Sequence, residues 1–271
     1  MKLFICPNYQ SDDQKEDAKY CIQQLTSSLG AECSMTKEAS LGLFNNEDYV
    51  RFGCEEADMV VAIGGDGTVL RSAQIAVNNN KPLLGIKSGR LGYLCALKVS
   101  DMENISEKMI QSLDVQERSL IEFVYEGKEY HCLNDVVIGK NDFGETIELE
   151  VFEDNIDVGS WRADGIIVST PTGSTSYNLS AGGPIVLPDI NAVVITPICP
   201  HSLDARPMVV SGKKEIKIKI IRSTSPANLY ADGIELGKSK DISLHISDEK
   251  LQLLSYDNPL TGLKELVAHD K

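Results

Sequence analysis

The chain has 271 residues, of which 42% are hydrophobic and 24% charged, with a net charge of −14. That length allows one large or two modest domains with a sizeable core. So acidic a chain is expected to bind neither nucleic acid nor an anionic membrane. No apolar run approaches the roughly 20 residues of a membrane span. Seven cysteines without a CxxC pair, and four histidines without ligand spacing to them, point to free thiols in a reducing cytoplasm and to no protein-built metal site. Residues 1–7 have too short an apolar run for a signal peptide and read as the approach to a first strand.

That strand, 3–6, leads into a helix over 12–29, where Ala18, Cys21, Ile22 and Leu25 share a face and Gly30 stands at the C-cap. A short helix is expected around 46–56. Val60 to Ile63 form a buried strand of the parallel-sheet kind. It ends at Gly64-Gly65, and helical spacing of Val69, Leu70, Ala73 and Ala76 begins near Thr68. A strand that passes through a Gly-rich turn into a helix leaves backbone N–H groups unpaired, and these donors with the helix dipole favour a phosphate. Asp66 stands among the glycines, where a carboxylate must serve something else, such as a hydroxyl or a metal. Taken alone, Asp66-Gly67 is equally well a tight turn. The stretch is not a P-loop, lacking the Lys-Ser/Thr ending, nor the dinucleotide fingerprint, since Leu70 holds the third glycine's place. A strand over 81–86 follows, then Lys87-Ser88-Gly89-Arg90-Leu91-Gly92-Tyr93-Leu94 and a helix over 102–113. This alternation predicts an open parallel α/β domain, Rossmann-like, over 1–116, with ligands beyond the C-terminal ends of its strands.

From about residue 117 the texture changes. Strands are expected over 118–126, 129–139, 146–158, 165–169, 192–197, 215–222 and 241–255, joined by Gly, Asn and Asp turns. Ile216, Ile218 and Ile220 alternating with Glu215, Lys217 and Lys219 typify them. A mainly antiparallel β domain is therefore expected over 117–256. Residues 257–271, with Leu260, Leu263 and Leu266, are expected to pack back on the first domain as a short helix.

Two polar stretches interrupt the β half. Asn134-Asp135 lies inside a strand pattern, where such residues are disfavoured, and marks a turn, a bulge or a site. The second runs from Ala163-Asp164 through Ser169-Thr170-Pro171-Thr172-Gly173-Ser174-Thr175-Ser176-Tyr177 to Gly182-Gly183-Pro184. It reads as a strand, a hydroxyl-rich loop and a short helix with Thr175 as its N-cap. Hydroxyls and backbone donors of this kind suit ribose and amide groups.

Read together, Gly64-Gly65-Asp66-Gly67-Thr68, Leu91-Gly92-Tyr93, Asn134-Asp135 and the 164–183 block resemble the NAD kinase family. Ile195-Thr196-Pro197, Arg206-Pro207 and Asp232-Gly233 extend the likeness. The glycine-rich segment alone is shared with diacylglycerol and sphingosine kinases; the other stretches single out NAD kinases. The resemblance implies transfer of the γ-phosphoryl group of ATP or another donor to the adenosine 2′-hydroxyl of NAD, with Mg²⁺ or another divalent cation carried on the nucleotide phosphates. It implies a cytoplasmic homodimer or homotetramer. By position, Asp66 would be catalytic, and Gly64, Gly65, Gly67, Thr68 and Arg71 would hold the donor phosphates. Asp66, Gly67, Tyr93, Asn134, Asp135, Asp164, Thr172, Thr175, Ser176 and Tyr177 would form the NAD pocket. Asp66→Asn is expected to leave the fold intact and remove most activity.

Two departures stand out. Lys87 replaces an amide that many relatives carry; it either lies near the donor phosphates or is a solvated loop lysine, and the second is preferred because a lone lysine snorkels easily. Ser176 adds a hydroxyl where relatives often have alanine. Two other readings are a lipid or sphingoid-base kinase, which needs an apolar acyl pocket, and a non-catalytic dinucleotide sensor, which predicts a lost phosphate loop.

Overall fold

The computed structural model describes residues 1–89, 93–142, 145–223, 225–239 and 241–255. Two compact units divide the chain: Met1–Glu117 together with the stretch from Leu251 onward, and Arg118–Lys250.

In the first unit, β1 (Lys2–Pro7), α1 (Asp12–Leu29), β2 (Glu32–Ser34) and α2 (Lys37–Phe44) precede β3 (Met59–Gly64), α3 (Asp66–Asn78), β4 (Leu83–Lys87), β5 (Leu97–Lys98) and α4 (Glu107–Gln111). The strands run parallel in the order β4-β3-β1-β2, with β5 beside β4. Helix α1 begins on a capping box in which Ser11 accepts from the Gln14 amide and Gln14 accepts in return from that of Ser11. It stops at Gly30, which is left-handed at φ 60°. Its apolar face packs with Leu3, Ile5, Val61, Ile63, Leu84 and Ile86 in one core. Every residue of β3 is buried, as a strand covered on both faces requires.

Two helices differ from expectation. Residues 46–53 are not helical; Thr36 starts α2 earlier by accepting from the Ala39 amide, and Asn45 ends it in the left-handed region. The Arg51 and Phe52 amides then donate to Ser34 Oγ, which itself donates to the Phe52 carbonyl, so these backbone groups are satisfied without a helix. Only a 3₁₀ turn at Cys54–Glu56 remains. The helix expected over 102–113 is split into a 3₁₀ turn at Val99–Asn104 and the short α4. Ile105 is extended there, and Ser106 caps a new start by accepting from the Met109 amide.

The second unit takes in β6 (Asp114–Tyr125), whose first residues belong to unit one, β7 (Lys128–Cys132), β8 (Asp135–Gly139), β9 (Ile147–Glu153), β10 (Ile156–Ala163) and β11 (Gly165–Ser169). After α5 (Tyr177–Ser180) come β12 (Ala192–Ile198), β13 (Met208–Ser211), β14 (Ile216–Arg222), β15 (Ala227–Ala231), β16 (Ile234–Ser239) and β17 (Asp241–Ser255). One sheet runs β10-β9-β14-β17, with β6 pairing β17 and β7. The other is antiparallel in the order β13-β12-β11-β8-β15-β16. Their apolar faces form one core, with Leu149, Val151, Ile216 and Ile218 from the first and Val136, Ile138, Ile166, Val168 and Ile195 from the second. The last residues of β17 belong to unit one, where Leu253 pairs in parallel with Leu83.

The strand expected over 129–139 is two strands, for a reason taken up with the site. The strand expected over 146–158 turns at Asp154-Asn155, both at positive φ, which makes β9 and β10 a hairpin. Strands β2, β5, β13, β15 and β16 were not anticipated, although Asp232-Gly233, at φ 46° and 79°, is the usual sequence sign of the β15–β16 hairpin. Thr175 does not cap α5: it ends a 3₁₀ turn and donates to the Thr172 carbonyl. The helix expected over 257–271 lies outside the described residues.

A Cβ added to Gly165 in β11 would lie 2.4 Å from the Ile138 carbonyl oxygen and 3.0 Å from Gly139 Cα. Gly165→Ala is thus expected to cost about 1–3 kcal/mol of stability. It should lower the urea midpoint at constant slope; an unchanged midpoint would mean that β8 yields freely.

Candidate active site

In unit one the predicted site residues gather at the junction of β3 and α3. Gly64 ends the strand where a Cβ would sit 2.3 Å from Thr68 Oγ1, so the fold itself demands glycine. The next two glycines are different. A Cβ on Gly65 would meet nothing within 4 Å, and one on Gly67 only Arg71 Nη1 at 3.8 Å. Glycine early in a helix costs stability relative to alanine, yet here it leaves the backbone open to an approaching molecule. Gly65 caps α3 without a side-chain bond, and the Thr68 and Val69 amides turn back to its carbonyl. Among the described residues the Asp66 and Gly67 amides meet no acceptor. Two free donors at the start of a 13-residue helix form an anion seat.

Asp66 opens this helix but its carboxylate reaches elsewhere. Oδ2 accepts from the Tyr93 amide at 3.0 Å and Oδ1 from the Leu94 amide at 3.1 Å. Each oxygen keeps acceptor capacity for a further hydroxyl. Asp66 thus also has a structural duty, holding the segment after β4 against the turn, which its place in a Gly-Asp-Gly run does not reveal. Thr68 is buried and receives Arg71 Nη2 on its hydroxyl at 3.4 Å. Tyr93 is exposed, and residues 90–92 lie outside the described residues. Beneath the turn, burial pushes the Cys95 thiol up to about 12, with the Asp66 charge adding and Lys87 opposing.

A second group of predicted site residues lies in unit two. The Asp232 carboxylate accepts from three consecutive amides, those of Leu133, Asn134 and Asp135, at 2.7–3.0 Å. These donors are lost to a strand ladder, and so β7 and β8 part at Leu133-Asn134. The opposite side of the bend is fixed by Thr170, whose hydroxyl donates to the Leu133 carbonyl at 2.6 Å and whose amide donates to that of Asn134 at 2.8 Å. Ser169 Oγ also donates to the Asn134 carbonyl. Gly173 packs flat on it: a Cβ there would be 2.2 Å from the Asn134 oxygen. The hydroxyl-rich loop is therefore largely turned inward. Ser174 Oγ donates to the Pro171 carbonyl and accepts from the Val186 amide, Asn178 Nδ2 donates to the Ser174 and Pro184 carbonyls, and Thr196 Oγ1 to Asn178 Oδ1.

Of the predicted pocket residues, Asn134, Asp135 and Thr172 are buried, Thr175 and Asp164 half-buried, and Ser176 and Tyr177 exposed. Asp164 is paired with Lys140 at 2.7 Å. The Tyr177 hydroxyl is made less acidic by burial, then by the charges of Cys199, Asp135 and Asp164. Sequence reasoning assigned no role to Asp232, Thr170, Ser174 or Asn178. Only Asp232, within an Asp-Gly turn, carried a signal.

Asp135 is 5% exposed, and among the described residues no donor meets its carboxylate. Burial, then the nearby Asp232 charge, raises its pKa to about 7, and burial raises that of Asp232 to about 6 against the pull of its three amides. Among the described residues no group of three or more His, Cys, Asp or Glu side chains is placed to hold a metal ion.

A folded-state pKa raised above the unfolded value near 4 means that the folded chain binds more protons between them, so these groups lose stability for the protein as pH rises from about 4 to 7. Asp135→Asn removes one such loss. Its stability relative to the parent should increase between pH 5 and pH 8 by on the order of 1–3 kcal/mol, measured by urea unfolding at both values; a constant difference would contradict the buried, raised carboxylate.

Comparison with known proteins agrees with this geometry. Residues 8–113 match the ATP-NAD kinase N-terminal domain and residues 133–255 the ATP-NAD kinase C-terminal domain. The chain is 33% identical over 242 residues to the NAD kinase of Acetivibrio thermocellus, covering 86% of this chain and 83% of that one. It is 42% identical over 184 residues to that of Heliobacterium modesticaldum, covering 66% and 65%. In fold it is similar to yeast NADH kinase solved with NADH, at a TM-score of 0.85 and 24% identity over all of this chain and 88% of that one. It is likewise similar to an Archaeoglobus fulgidus NAD kinase solved with ATP, at 0.77 and 22% over the whole of both chains. With both domain models matched and this degree of identity, the chain belongs to the NAD kinase family.

Proposed function

We propose that the chain transfers the γ-phosphoryl group of ATP to the 2′-hydroxyl of the adenosine ribose of NAD, giving NADP and ADP. It is a phosphotransferase that phosphorylates NAD, as its family membership establishes; the donor, the position on the ribose and the residues involved are our assignment. The observation that carries it is the β3–α3 turn, where two free amides and an anchored carboxylate share one open loop.

Unit one would carry the donor side. The Asp66 and Gly67 amides receive phosphate oxygens, Gly65 and Gly67 leave them room, and Arg71 adds charge beside Thr68. Asp66 accepts the hydroxyl proton as the ribose oxygen bonds to the γ-phosphorus and the bond to the β–γ bridging oxygen breaks. A ribose hydroxyl is a very weak acid, so an aligned base helps, by about 10²–10⁴-fold in typical cases. The remaining barrier is met by alignment and charge stabilisation. A divalent cation on the phosphates supplies neutralising charge when bound. Unit two would carry the acceptor side: Asn134 and Asp135, held by Asp232 and Thr170, take the ribose and adenine, and Asp164, Thr172, Thr175, Ser176 and Tyr177 shape the remaining pocket. We further propose a cytoplasmic homodimer or homotetramer that binds neither nucleic acid nor membrane; no helix among the described residues is long and apolar enough to cross one. Free amides at the turn give no support to a sensor that has lost its phosphate seat.

Two variants test this reading. Asp66→Asn keeps one acceptor but turns the other oxygen into a donor facing an amide, so it should lower the melting temperature modestly while reducing kcat by at least about 10²-fold. Near-normal NADP formation would remove Asp66 from the chemistry. The Cβ of Gly65→Ala meets no protein atom within 4 Å, and the change is expected to cost no more than about 1 kcal/mol through the weaker cap. The variant's KM for ATP should nevertheless rise sharply with the KM for NAD unchanged, and an unaltered KM for ATP would place the donor elsewhere.

A further inference from the structure

We propose that Lys87 is a donor-binding residue whose ammonium supplies positive charge to the phosphates of the nucleotide seated on the Gly64–Gly67 turn. This rests on the reading of that turn given above.

Lys87 is the last residue of β4 and stands directly opposite Gly64, the last residue of β3, in the parallel register. The chain just beyond it is fixed, since the Ser88 amide donates to the Gly64 carbonyl at 3.1 Å and Ser88 Oγ donates to Asp17 Oδ2 at 2.6 Å. Its position is therefore that of the strand ends themselves, the edge at which open α/β sheets bind ligands. The side chain is half-buried. Some half-exposed lysines of this acidic chain find carboxylates, Lys2 with Glu56, Lys140 with Asp164 and Lys214 with Asp154, while others such as Lys81, Lys217 and Lys219 do not among the described residues. Among the described residues Lys87 has no such pair and no side-chain hydrogen bond.

The charge also reaches the turn. Lys87 and Asp66 act with opposite sign on the same Cys95 thiol, whose sulfur lies 3.8 Å from the Gly64 carbonyl oxygen. Arg71 approaches from α3, with Nη2 3.4 Å from Thr68 Oγ1. The loop thus has a cation on the strand that follows it as well as on its own helix. Backbone amides contribute only partial charges, and a nucleoside triphosphate brings several full negative ones. A compact ammonium on a flexible stem is suited to a phosphate as a point charge. A merely solvated lysine would not need a strand end fixed beside the turn.

The test uses the full chain with K87Q and K87R, measuring MgATP binding by titration calorimetry and KM values in NADP formation at low and high salt. K87Q should raise both Kd and KM for ATP about tenfold at low salt, leave the KM for NAD within about twofold, and flatten the salt dependence of ATP binding, because screening acts on the removed charge. K87R should restore ATP affinity to within about threefold. If K87Q binds ATP as the parent does while the parent makes NADP, Lys87 is a solvated lysine and the proposal is wrong. If K87R fails as badly as K87Q, charge is not what matters and the proposal also falls. A parent protein that neither binds ATP nor makes NADP would overturn the reading of the turn first, and Lys87 with it.

Discussion

The Asp66 carboxylate, holding the Tyr93 and Leu94 amides, is the contact on which unit one's chemistry depends. A carboxylate beside an anion seat is electrostatically awkward, and in an acidic chain it is more so. Two backbone donors make it tolerable: they fix the side chain, and they leave its remaining lone pairs to a hydroxyl. The same contact ties the turn after β3 to the segment after β4, so that the free amides, the Asp66 carboxylate and Lys87 all belong to one sheet edge. Preorganisation of this sort matters in phosphoryl transfer, where the protein contributes position and charge rather than covalent chemistry.

Unit two solves a different problem with the same means. Asn134 and Asp135 must leave a strand ladder without stranding their backbone groups. Asp232 takes the amides on one side, Thr170 and Ser169 hold the carbonyls on the other, and Gly173 closes against them without a side chain. The cost appears as two carboxylates raised to about 7 and 6 by burial. A neutral or easily protonated acid in a polar bend can donate as well as accept, which suits a ligand presenting both kinds of group.

Much of this was legible in the sequence because it is written in local pattern. The α1 face with its Gly30 stop, the buried β3 and the change to antiparallel strands after residue 117 follow from periodicity and capping. The misread helices fail for a common reason: Ser34, Thr36 and Ser106 redirect backbone groups through single hydroxyl contacts, and periodicity does not register these. The inward turn of the Ser169, Thr170 and Ser174 hydroxyls was not legible, because composition cannot say which way a side chain faces. Asp66's hold on residues 93 and 94 spans 27 and 28 positions, and Asp232's hold on the bend nearly 100; local sequence shows neither partner, and the Asp232-Gly233 pair marks only its own turn.

The most direct test of the central claim is the destination of the phosphate. The protein would be incubated with NAD, Mg²⁺ and ATP labelled in its γ-phosphoryl group, and the product's attachment point read by NMR. The account predicts labelled NADP with the phosphate on the adenosine 2′-oxygen and ADP in equal amount. Label remaining in ATP, released as inorganic phosphate, or found on any other oxygen of NAD would contradict it.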